Sequence, residues 1–83
     1  MEREEQVRNV VEILEELQED GSVPRNVKEK IVSTVKALEE KGEISIKVNK
    51  ALHELEEIAD DPNLQQYTRT QIWNIVSLLE KIG

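Results

Sequence analysis

Eighty-three residues make one small domain with a modest core, so a deep enclosed catalytic cavity would compete with the packing that keeps the chain folded. Eighteen acidic against eleven basic residues give a formal charge of −7, which repels nucleic-acid phosphates and anionic lipid surfaces. The absence of cysteine excludes disulfides and thiolate metal sites, and the apolar runs are far shorter than the roughly 20 residues that cross a bilayer.

The opening stretch, MEREEQVRNV, is too charged for a signal peptide, and the expected location is the cytoplasm. Val7, Val10, Leu14 and Leu17 recur at helical spacing. With Val11 and Ile13 widening the stripe, they predict an amphipathic helix ending near Glu19. EDGSVP then breaks the pattern. Gly21 is expected to take the left-handed backbone that closes a helix, Ser22 to cap the next one, and Pro24 to sit in its first turn, where a missing N–H costs nothing. The second helix turns Val27, Ile31, Val35 and Leu38 inward and stops at Lys41 and Gly42, a basic last turn followed by a C-cap glycine. A third helix takes Ile44, Val48, Ala51, Leu52, Leu55, Ile58 and Ala59 and ends at DDPN. A fourth takes Ile72, Ile75, Val76, Leu79 and Ile82.

A shift of 41 residues lays LEELQEDGSV over LEEIADDPNL and IVSTVKALEEKG over IWNIVSLLEKIG. Val7/Val48, Leu14/Leu55, Ile31/Ile72, Val35/Val76, Leu38/Leu79 and Gly42/Gly83 are identical pairs, and Ser22 falls on Asn63, both good N-cap residues. A hairpin of about 40 residues cannot bury its own apolar stripe. The expected fold is therefore all-α, an antiparallel up-down-up-down four-helix bundle in a single domain, 1–83, built from two repeated hairpins over about 3–42 and 44–83. The period also falls in the range of HEAT-type arrays, but two units favour a closed bundle over an open solenoid. Charged residues are 35% of the chain, mostly Glu and Lys, and Met1 is its one methionine, a composition that leans toward a thermophile.

SVPRN after the first helix, DDPN, and TRT with IWNIVSLLE in the second hairpin resemble the archaeal uncharacterised protein family 0147 over nearly the whole chain. The most specific part is Thr68-Arg69-Thr70 followed by Ile72-Trp73-Asn74, which helical periodicity alone would not produce. The resemblance implies a small all-helical bundle protein of a class without an established activity, so it carries over a fold and no catalytic residue.

Residues with chemical potential have plain structural readings. His53 falls opposite the stripe of Val48, Ala51 and Leu55 and should face solvent, where a lone imidazole is a poor metal site. Glu15, Glu16 and Asp20, and likewise Glu56, Glu57, Asp60 and Asp61, lie on polar faces or in turns, without the burial that separates the pKa values of an acid/base pair. Asp60, Asp61 and Asn63 lack the spacing of a calcium loop. The three glycines stand singly at helix ends, so no phosphate loop is present, and Ser33 and Ser77 lie mid-helix with no histidine nearby. No cofactor and no metal are expected, and no enzyme activity is assigned.

Trp73 lies about 100° around its helix from Ile72, at the margin of the apolar arc, with Arg69 and Val76 flanking the same side. It is expected to pack along one side against the preceding turn and the third helix, leaving an edge accessible beside Arg69. Val32 and Ile46 also fall off their stripes. Marginal apolar groups without a catalytic constellation point to a non-enzymatic interaction or structural module that meets a protein partner or further copies of itself. Trp73, Arg69 and Asn74 form the candidate patch. The alternatives are a nucleic-acid-associated factor using Arg25, Lys28 and Arg69 as basic points against the net charge, and a small-ligand protein using a gap in the bundle core.

Overall fold

The structure, a computed structural model, describes residues 3–82. It contains four helices, α1 (Arg3–Glu19), α2 (Arg25–Glu39), α3 (Ile44–Ala59) and α4 (Gln66–Ile82), and no strand among the described residues. They pack in a ring, α1 on α2, α2 on α3, α3 on α4 and α4 back on α1. The α2/α3 contact is the most extensive of these and the α1/α4 contact the least.

Each helix forms because its apolar residues recur at three- and four-residue spacing and close one stripe against the others. Leu14, Ile31, Val48, Ala51, Leu55, Ile72 and Leu79 are wholly excluded from solvent, so all four helices supply the centre of the core. Burying one such Leu or Ile contributes about 1.5–3 kcal/mol. All the stripe residues named for α2 and α4 are buried, while Ile13, Ile44 and Leu52 pack against the core from its edge. The stripes miss some core members. Val23 and Leu64 are buried although they lie in the turns, and Thr34 and Thr68 are buried although they are polar. Thr34 stays satisfied because its hydroxyl donates to the Lys30 carbonyl one turn back, at 2.8 Å.

The α1–α2 and α3–α4 turns use the same hydrogen bonds 41 positions apart. Ser22 N donates to Asp20 Oδ1 at 2.9 Å and Asn63 N to Asp61 Oδ1 at 2.8 Å. Val23 N reaches the Asp20 carbonyl and Leu64 N the Asp61 carbonyl, both at 3.2 Å. These are Asx turns, in which an aspartate replaces the backbone acceptor two residues upstream, and each delivers one aliphatic side chain to the end of the core.

This chemistry corrects three expectations about the first turn and one about the second. Gly21 keeps an ordinary backbone rather than a left-handed one, because Asp20 satisfies the local donors without it. Ser22 does not cap α2; its hydroxyl donates to Asp20 Oδ1 at 2.7 Å. Pro24 precedes the first helical turn instead of lying within it, and α2 begins with no side-chain cap. Asn63 lies three residues before α4 begins at Gln66, too far upstream to cap it. Between α2 and α3, the helix ends at Glu39 and Glu40 turns extended. Gly42 then adopts φ +138° within the linker, a conformation open to glycine and strained for other residues. Its repeat partner, Gly83, lies outside the described residues.

The turn aspartates make stability depend on acid. The Ser22 N–H and then its hydroxyl hold the Asp20 carboxyl below its usual range. The Asn63 N–H, followed by the Asn26 amide at 2.8 Å, does the same for Asp61. A carboxyl lowered by folding stabilises fully above its unfolded value, about 3.9, and loses that contribution as pH falls through the folded value. An Asp20→Asn, Asp61→Asn double variant should therefore have a lower urea midpoint than the parent at pH 7, and the gap should close as pH falls below about 4. A gap of constant size would show that the carboxylates play no such part.

Candidate interaction face on α4

Successive residues of a helix are about 100° apart, so Thr68, Ile72, Ile75, Val76, Leu79 and Ile82, all buried, leave a broad outward arc. Gln66, Tyr67, Thr70, Trp73, Asn74, Ser77 and Leu78 occupy that arc and are all exposed. None is charged, in a chain where charged residues are 35%. Tyr67 is 68% exposed, Trp73 46% and Leu78 43%, so both aromatic residues of the chain stand on this helix with substantial open surface.

Arg69, the one charged residue between Pro62 and Leu79, is half-buried and turned away from the arc. Its Nη2 donates to the carbonyls of Asp61 at 2.9 Å and Leu64 at 3.1 Å, and its Nη1 to that of Ala59 at 3.4 Å. The last carbonyls of a helix lack intrahelical partners, and a planar guanidinium with five donors can serve several at once. Arg69 thus ties α4 to the end of α3 and the intervening turn. It is a positioning residue, committed to backbone rather than presented as a free basic point.

The three residues of the predicted patch separate accordingly. Arg69 and Trp73, four apart, share one flank of α4. Asn74 lies about 100° from Trp73, nearer the middle of the arc and toward the flank of Tyr67, Gln71 and Leu78, which stand at helical spacing from it. Gln71 Nε2 donates to the Tyr67 hydroxyl at 3.3 Å, while Gln71 Oε1 is buried without a partner. Leu78 and Lys81 border a groove of about 210 Å³ against Gln6, Asn9 and Val10 of α1, which places that flank beside α1. Tyr67 and Leu78 lie outside the patch predicted from the sequence, which centres on Trp73. A wheel drawn from the buried stripe outward would have found them.

Elsewhere the chemistry is sparse. The His53 side chain is 80% exposed, with Nε2 3.6 Å from Glu57 Oε1. Glu57 bonds Lys30 at 3.0 Å, and that bond holds its carboxyl below the usual range. Among the described residues no group of three or more His, Cys, Asp or Glu could hold a metal ion, and no helix is long and apolar enough to cross a membrane.

Arg69→Ala should cost about 2–3 kcal/mol, the scale of lost hydrogen bonds from a charged donor. Arg69→Lys should recover little of it, because a point ammonium cannot span carbonyls on three residues. Trp73→Ala should cost about 2 kcal/mol, below the roughly 3–5 kcal/mol of a fully buried ring. Equilibrium urea unfolding of the three variants measures all of these. A Lys variant as stable as the parent would show that charge alone suffices at position 69.

The sequence pattern of the family described as Uncharacterised protein family (UPF0147) matches residues 1–82. The UPF0147 protein of Methanocaldococcus jannaschii is 41% identical over 80 residues, covering 95% of this chain and 86% of that protein. The one from Archaeoglobus fulgidus is 40% identical over 78 residues, covering 93% and 88%. The crystal structure of the unknown-function protein MMP1188 aligns with a TM-score of 0.88 at 40% identity, over 94% of this chain and 90% of that one. The relatives are archaeal, with thermophiles among them. Sequence pattern, pairwise identity and backbone agree over nearly the whole length, and the chain belongs to the uncharacterised protein family UPF0147.

Proposed function

We propose that this is a non-enzymatic cytoplasmic protein that works through protein contacts made by the outward face of α4. One observation carries the reading: from Gln66 to Leu78 every exposed side chain is uncharged, and Tyr67, Trp73 and Leu78 stand open among them. Burying a charge in a contact costs desolvation, and the centres of protein interfaces are depleted in charged groups and enriched in Tyr and Trp. Trp73 and Asn74 belong to this face; Arg69 supports it from behind through its bonds to the α3–α4 turn. The nucleic-acid reading loses Arg69 as a contact for the same reason, and the net charge of −7 opposes it further.

The platform beneath the face is, in this reading, one antiparallel up-down-up-down bundle of two repeated hairpins. The matched turn hydrogen bonds of Asp20 and Asp61 support the repeat. So does the start of α4, 41 residues after that of α2. Arg3 Nε donates to the Ile82 carbonyl at 3.1 Å, in keeping with α1 and α4 running in opposite directions.

Two measurements test these proposals. A photo-reactive benzoylphenylalanine placed at Thr70 or Trp73 should give a discrete protein adduct in extract of the source cells, competed away by excess unaltered protein. The same group at Glu12 or Glu29 should give none. Equal labelling from all four positions would overturn the assignment to α4. A fragment of residues 1–42 should be largely unfolded at low concentration, because its apolar stripes have no partner. Stable monomeric helicity in its circular dichroism would refute the two-hairpin platform.

A further inference from the structure

Charge is spread unevenly over this molecule. Glu12, Glu15, Glu16 and Glu19 gather on α1, and α2 and α3 expose Glu29, Glu39, Glu56 and Glu57. Two copies, each at −7, repel wherever these faces meet. Of the four helices, α4 alone runs for more than three turns with no carboxylate at all, from Gln66 to Leu79.

That face also suits self-pairing. In a two-fold contact a patch meets its own copy, each residue meeting itself only at the axis, so a face bearing charge of one sign repels its copy. Amides and hydroxyls carry both donors and acceptors and can pair with themselves. Gln66, Thr70, Asn74 and Ser77 form a stripe of such groups along the middle of the arc, spaced four, four and three residues apart. Trp73 flanks the stripe on one side, and Tyr67 and Leu78 on the other.

We infer that the outward face of α4 docks a second copy of this chain, the two α4 helices packing antiparallel about a two-fold axis near Thr70 and Asn74. The inference rests on the interaction reading of α4 and names its partner. Antiparallel packing sets opposite ends of the helix dipoles side by side and keeps the two Lys81 ammonium groups apart. A standard interface takes about 800 Å² from each partner, some 15% of the 5335 Å² that this molecule exposes. One helix about 25 Å long supplies less than that, so the pair forms by concentration rather than as a permanent dimer.

Sedimentation from about 10 μM to about 1 mM, the range of weak association, reads the result. The mass should rise from 9.6 kDa toward twice that value, and the Trp73 indole N–H signal should shift with concentration. A Thr70→Glu, Asn74→Glu double variant and a Thr70→Lys, Asn74→Lys double variant should each stay monomeric. Mixing the two in equal amounts should restore the dimer, at least about ten-fold tighter than either alone. A parent protein monomeric at the top of the range overturns the inference, as does a Glu variant that dimerises like the parent or a mixture that restores nothing. Should a variant lose its helical signal, the indole shift on dilution of the unaltered protein decides. Photo-adducts from α4 of a mass other than twice 9.6 kDa would remove the second copy while leaving the interaction reading intact. No adduct at all, with a monomeric parent, would remove both.

Discussion

Each of the four helices carries a single apolar stripe, and the structure depends on the burial of those stripes against one another. A small chain covers a lower fraction of its surface than a large one, so little of the core is spare. Leu14, Ile31, Leu55 and Ile72 come from four different helices and are all wholly buried. Removing any one helix would expose the other three stripes. The ring closes most thinly between α1 and α4, the seam where Leu78, Lys81, Gln6 and Asn9 leave a groove.

A core this small leaves the ends of the helices near water and near one another, and polar groups there must be satisfied locally. Asp20 and Asp61 serve the turns with side-chain oxygens, and the chain beyond each sends Val23 or Leu64 back into the core. Asn26 joins α2 to the second turn through Asp61, and Arg69 gathers carbonyls from α3 and the same turn. The second turn is thus held from both neighbouring helices, which fixes where α4 starts and how its outward face is presented.

Charge follows a division of labour between faces. Glu and Lys on α2, at its C-terminal end and on α3 meet in exposed pairs such as Lys30–Glu57 and Lys50–Glu40, which contribute little to stability individually but keep the surface hydrated. The exposed arc of α4 omits such groups over most of its length. An uncharged, aromatic-bearing arc on an otherwise highly charged protein is costly to leave open in water and cheap to cover, which is the physical content of assigning contacts to it.

Periodicity alone determined the helix count, the inward stripes and the positions of the breaks, because burial in a helix leaves a mark every three or four residues. The repeat and the combination of Thr68-Arg69-Thr70 with Ile72-Trp73-Asn74 were equally plain in the sequence, and so was the solvent-facing position of His53. What the tertiary structure decided were the identities of side-chain partners. Arg69 reads as a basic surface residue until three carbonyls from ten to five residues upstream converge on it. Ser22 reads as a cap until Asp20 takes its proton donors, and Val23 and Leu64 read as loop until the turns fold them inward. Such outcomes depend on distances between segments that are remote along the chain, and a linear pattern carries no record of those distances.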